Sequence, residues 1–170
     1  MDLKGYIKIE FDGLKRVSTR VTNTLTQQEL MWRPACGCNS MGLILFHVAR
    51  SEDSFIQSDL QHKPQLWESG KWYQKMSLAE SEIGAHFSSV DQINNFPVPD
   101  MKDIMGYYEA VRAKTLSYLS SLDPAEFDKP VKLPFGEFTV AGIFSLIVAH
   151  TAEHIGEISY LRGLLRGLDK

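Results

Sequence analysis

The sequence predicts an all-α fold, a four-helix bundle in up-down-down-up order, and three observations carry that prediction. Four segments, near residues 3–25, 40–58, 101–122 and 139–167, place apolar residues at helical spacing. The connection between the second and third, residues 59–100, is too long for a turn between antiparallel neighbours, so it reads as a crossover that lets those helices run parallel. Extended character is confined to a short excursion over residues 131–138, around Pro134 and Gly136.

The first helix follows from Ile7, Phe11, Leu14, Ser18, Val21 and Leu25, spaced alternately four and three, which draws one seam along a helix. Thr26-Gln-Gln-Glu29 then has capping-box form and starts one short turn, which Pro34 prevents from continuing. Asn39 or Ser40 caps the second helix, whose apolar side carries Met41, Ile44, Leu45, Val48, Phe55 and Ile56.

In the long connection, Ser77-Leu-Ala-Glu80 and Ser89-Val-Asp-Gln92 each have the form of a short helix start. Trp67, Trp72 and Tyr73 punctuate it, and two roles stay open for them: pinning the crossover onto the bundle, or covering a cavity as a lid. The third helix begins after Asp100, with Ile104, Tyr108, Val111, Thr115, Leu119 and Leu122 along one face. Asp123-Pro-Ala-Glu126 ends it and forms one further turn, and Thr139 caps the last helix.

Composition narrows the function classes. A chain of 170 residues, 44% hydrophobic and 23% charged, has the profile of a single domain, residues 1–170, able to bury its own core. With a net charge of −3 and no clustered Lys or Arg, it lacks the electrostatic footprint of a nucleic-acid binder. No apolar run approaches a membrane span, and Asp2 stands where a signal peptide carries basic residues, so a cytoplasmic protein without membrane partner is expected. Cys36 and Cys38 flank a single glycine; the spacing is neither a structural zinc pattern nor the C-x-x-C redox spacing, and they read as incidental loop residues in a reducing compartment.

The last helix carries the chemistry. Ile143, Leu146, Ile147, Ile158, Leu161 and Leu165 form its apolar stripe, and His150 and His154 fall within it. At about 100° per residue, His154 lies about 40° from His150 and Glu157 about 20° on the other side, so three ionisable groups share one face. One histidine on such a face is usually a hydrogen-bonded core residue. Two at i, i+4 match the arrangement of helical zinc ligands that take a third ligand from elsewhere.

His47, at the border of the second helix's apolar side, is the best third ligand, and Ser51 and Ser54, one and two turns on, give that edge the look of the polar wall of a cavity. His86 is the reserve and His62 reads as a surface residue of a loop.

Asn39-Ser-Met-Gly-Leu-Ile-Leu-Phe-His47-Val-Ala-Arg-Ser-Glu-Asp53-Ser-Phe-Ile and His150-x-x-x-His154-x-Gly156-Glu157-Ile-x-Tyr160-Leu-Arg162-Gly163 resemble the two signature segments of the DinB/YfiT-like metalloenzyme superfamily. The likeness runs over essentially the whole chain, including the Thr26–Trp32 turn and the Val131–Phe138 excursion. It implies a four-helix bundle holding a divalent metal ion on three histidines, which map onto His47, His150 and His154. It also implies thiol-dependent transferase or isomerase chemistry with a low-molecular-weight thiol as co-substrate, and a homodimer, for which Trp32 and Phe135 are candidate interface residues. The residue after the glycine is commonly glutamine in relatives and is Glu157 here, able to ligate the ion, bond a water on it or orient a histidine.

Three imidazoles leave a metal with an open position, as catalytic sites require, and the ligand type alone suits Zn, Ni, Fe or Mn. A thiol bound there loses its proton more easily and becomes the nucleophilic thiolate, which favours S-transfer to a small electrophile. The alternatives are hydrolysis of a small ester or amide, with Glu157 or Glu153 as base, and a bundle that binds metal or ligand without turnover.

Overall fold

Asp2 caps the first helix, its carboxylate accepting the Gly5 amide at 2.8 Å. In a computed structural model of the chain, which describes residues 2–82, 84, 87 and 89–167, this helix, α1, spans Leu3–Thr22. It ends three residues short of the expected boundary, where Thr24 takes a positive φ and starts a turn. The capping box forms as the sequence predicts: Thr26 accepts from the Glu29 amide, the Glu29 carboxylate accepts the Thr26 amide at 2.7 Å, and α2 runs Gln27–Met31.

Ser40 is the cap of α3, Met41–Asp53, accepting the Leu43 amide at 3.2 Å. The chain does not stop there. It continues without a break as a π-helical turn, Ser54–Leu60, so the element reaches two residues beyond the expected end.

The long connection folds differently from the capping patterns in its sequence. Its helices are α4, Leu66–Ser69, α5, Trp72–Lys75, and α6, Val90–Asn95, the last capped by Ser89 as expected. Ser77-Leu-Ala-Glu80 forms no helix, since Ser77 adopts a left-handed φ of 55°. The missing organiser is Asp53, whose fully buried carboxylate accepts the first amides of α4, from Leu66 at 3.0 Å and Trp67 at 2.9 Å, and the Tyr107 hydroxyl at 2.6 Å.

Helix α7 spans Met101–Ser121 and a 3₁₀ turn follows at Pro124–Asp128. The extended excursion is an antiparallel hairpin of β1, Pro130–Leu133, and β2, Gly136–Thr139, pairing Val131 with Phe138. Thr139 then caps α8, Val140–Arg166, by accepting the Gly142 amide at 3.1 Å.

The described residues are therefore mostly helical, with one two-stranded sheet. Helix α3 packs on both α7 and α8, and α8 also packs on α1. At one end Phe11, Ile143, Phe144, Leu119 and Phe127 share a core. In the interior Phe46, Trp67, Phe96 and Tyr107 form a second cluster that ties the crossover to α3 and α7. Among the described residues no helix is long and apolar enough to cross a membrane.

A charged pair crosses this core. Arg112 donates to both oxygens of Glu52, at 2.8 and 2.6 Å, and Thr115 donates to the same carboxylate at 2.6 Å, with Glu52 only 1% exposed. Such bidentate pairing compensates the loss of water that a buried charge suffers.

Candidate metal centre

His47 enters the interior from the middle of α3, half-buried between fully packed neighbours Phe46 and Val48. His150 and His154, one turn apart, enter from α8, which packs against α3. The structure brings all three together. His47 Nε2 lies 3.0 Å from His150 Nε2, and His154 Nε2 lies 3.1 Å from the same atom. His86 lies outside the described residues, and His62 is exposed in a loop away from the trio, lining a different cavity with Asp59 and Lys132.

Each of two rings is held from behind. The Gly84 carbonyl stands 3.0 Å from His47 Nδ1, and because a carbonyl only accepts, that nitrogen carries the hydrogen. Glu157 receives the Nδ1 hydrogen of His154 at 2.7 Å. Both arrangements turn the Nε2 lone pairs inward, as histidines held for metal binding require.

Electrostatics follow from that crowding. Burial, then the neighbouring His154 and His47, pushes His150 down to about 4, so it stays neutral at physiological pH. Three imidazoles with converging Nε2 atoms crowd their lone pairs into one place, where one divalent cation would turn the contact from repulsive to attractive. Ligands at 2.0–2.1 Å in tetrahedral geometry stand about 3.3 Å apart, close to the separations here. The donor set therefore fits a divalent ion held by His47, His150 and His154, and the Nε2 character suits several transition metals.

The cavity beside the trio, about 120 Å³, is lined by Asn39, Leu43, Ile44, His47, Gly84, Phe87 and His154. This differs from the polar wall that the sequence suggests. Ser51 and Ser54 are half-buried farther along the helix and do not line it, and the wall is mainly apolar. The crossover does contribute, through Gly84 and Phe87, and not through Trp67, Trp72 or Tyr73. Trp67 is fully buried under Arg50 and beside Phe46 and Tyr107, the pinning role of the two left open by the sequence.

Glu157, the residue marked as a departure in the sequence, is 47% exposed at its side chain and bonds His154. Gly84 has no sequence signal of this kind, since a backbone carbonyl is available from every residue. Cys36 and Cys38 carry free thiols; the Cys36 sulfur receives a hydrogen bond from the Asn94 side chain.

Comparison with known proteins agrees with the fold. The family model described as DinB superfamily matches residues 10–158. A crystal structure of a conserved protein from Enterococcus faecalis superposes with a TM-score of 0.85 at 22% identity, covering 98% of this chain and 99% of that one. No curated protein matches the sequence.

Proposed function

The chain belongs to the DinB superfamily, and from that premise we propose that it is a divalent-metal-dependent enzyme transferring a low-molecular-weight thiol to a small electrophile. One observation carries the reading: three Nε2 atoms from two helices converge on one point, with two of the rings oriented from behind. Three imidazole ligands leave room for substrate, the coordination pattern of catalytic sites.

A divalent ion bound there supplies Lewis acidity, which favours the thiolate over the thiol. The chain's own residues do the rest. Glu157 keeps the hydrogen on His154 Nδ1, and the Gly84 carbonyl keeps that of His47, so both rings present Nε2 without rearrangement. Leu43, Ile44 and Phe87 exclude water and enclose an apolar substrate body, while the Asn39 amide offers one polar contact. In the transfer the thiolate sulfur forms a bond to an electrophilic carbon, the leaving group departs with its electron pair, and the thiol proton passes to solvent at the exposed edge by Glu157.

The same reading takes the four long helices as a bundle in up-down-down-up order, supported by the core clusters: Met41 and Ile44 of α3 lie with Ile104 of α7, and Ile56, in the π-helical turn that continues α3, lies with Leu119 farther along α7. It takes the protein as cytoplasmic and homodimeric. Hydrolysis of small esters is the second reading, favoured by the carboxylate of Glu157 where relatives commonly carry glutamine.

A screen of chromogenic electrophiles with several low-molecular-weight thiols, under added Zn²⁺, Ni²⁺, Mn²⁺ or Fe²⁺, tests the assignment. Activity requiring both metal and thiol and lost in His154→Ala supports transfer. Metal-dependent release of product from an ester without thiol would replace it with hydrolysis.

A further inference from the structure

Gly84 sits in the crossover, buried, with a left-handed φ of +62°. Its carbonyl accepts from His47 Nδ1 at 3.0 Å, and its amide donates to the Glu82 carboxylate at 2.9 Å, so the peptide is braced on both sides. A Cβ at this position would stand 2.4 and 2.5 Å from two carbons of the Phe46 ring. That ring cannot yield: it is fully buried, with Trp67 and Phe96 each 5.4 Å away between ring centres.

Phe46 is also the residue next to His47. A substituent on Gly84 therefore pushes on the segment that carries the histidine and displaces the carbonyl that holds it. Glycine is required twice, by the positive φ and by the close approach.

We propose that Gly84 is a positioning residue: its carbonyl fixes His47 as the Nδ1–H tautomer and turns Nε2 toward His150 and His154, and a side chain at residue 84 abolishes that control. The consequence for metal affinity rests on the metal-centre reading above; the tautomer itself does not. The crossover thus sets the orientation of the one ligand that does not come from α8.

The test is long-range ¹H–¹⁵N correlation NMR of the full chain, labelled at histidine and free of metal, at alkaline pH where the imidazoles are neutral, followed by zinc titration against a chromophoric chelator. The wild type should show His47 as the Nδ1–H tautomer. Gly84→Ala should show His47 shifted toward Nε2–H, His154 still Nδ1–H on Glu157, and zinc binding weaker by about 10–100-fold. The double variant Phe46→Leu, Gly84→Ala, which removes the aromatic ring that the new methyl meets, should recover part of the Nδ1–H signal.

An Nε2–H tautomer at His47 in the wild type would overturn the proposal even if no variant folds. So would an unchanged tautomer in a folded Gly84→Ala. A wild type with His47 as Nδ1–H but no zinc affinity would support the role of Gly84 while overturning the metal centre.

Discussion

His47 and His150 stand 103 residues apart in sequence, and their Nε2 atoms lie 3.0 Å apart in the structure. His47 carries its hydrogen on the Nδ1 that faces Gly84, so its Nε2 accepts, and neutral His150 has one ring hydrogen with which to serve both His47 and His154. At least one of the two close nitrogen pairs at His150 is left with lone pair against lone pair, which a cation held between α3 and α8 would relieve.

Metal should therefore stabilise the fold. At a free concentration about 100 times its Kd, an ion that binds only the native state adds about 2.7 kcal/mol, or a rise of about 5–10 °C in Tm for a chain of this size. Differential scanning fluorimetry with Zn²⁺ or Ni²⁺ measures it, and His150→Ala should show no rise.

Replacing Glu157 separates orientation from ligation. Glu157→Gln keeps an oxygen able to accept the His154 Nδ1 hydrogen and should retain metal, with altered rate or pH dependence. Glu157→Ala removes the acceptor and should weaken metal binding by about 10–100-fold. If Glu157→Gln loses metal outright in a chelator competition, the carboxylate is itself a ligand and the open position is in doubt.

The metal-free protein should lose stability in acid through His150. Its folded pKa, pushed down to about 4 by burial and then by His154 and His47, lies below the ordinary value of about 6.5. The unfolded chain therefore takes the proton first as pH falls. Stability contributed by keeping His150 neutral is full above about pH 6.5, falls between there and about 4, and levels off below. Urea midpoints across this range, compared with those of His150→Gln, should show a shallower slope in the variant.

The buried pair between α3 and α7 should be worth more than any exposed one. Arg112→Met leaves Glu52 charged in the core with the Thr115 hydroxyl still donating to it and should cost about 3–5 kcal/mol. Lys129→Met, at an exposed pair with Glu126, should change the denaturant midpoint little, within about 1 kcal/mol.

Much of this was legible in the sequence because helical spacing is a local property. The seam of Ile7, Phe11 and Ser18, the Thr26 capping box, the Ser40 and Thr139 caps and the placing of His150 and His154 on one face follow from periods of three and four, while His47 was marked by its place at the edge of an apolar helix side. The crossover was not, because its order is imposed from outside it: Asp53 supplies the acceptors that start α4, and Trp67 is buried by residues of α3 and α7. Glu52 and Asp53 interrupt an apolar helix, a visible signal of buried partners, but the partners Arg112 and Tyr107 lie about 55–60 residues on and no spacing rule connects them. The apolar cavity wall was hidden for the same reason, since Phe87 and Gly84 reach it only through the crossover's path.

The central claim is that His47, His150 and His154 together hold one divalent ion, and equilibrium dialysis of untagged protein against Zn²⁺, read by elemental analysis, tests it most directly. Wild type should bind about one ion per chain at a site where the histidine nitrogens act as three ligands. His47→Ala and His154→Ala should each bind none at the same free zinc while remaining folded by circular dichroism. Wild-type protein that takes up no zinc, or variants that bind as much as the wild type, would contradict the account.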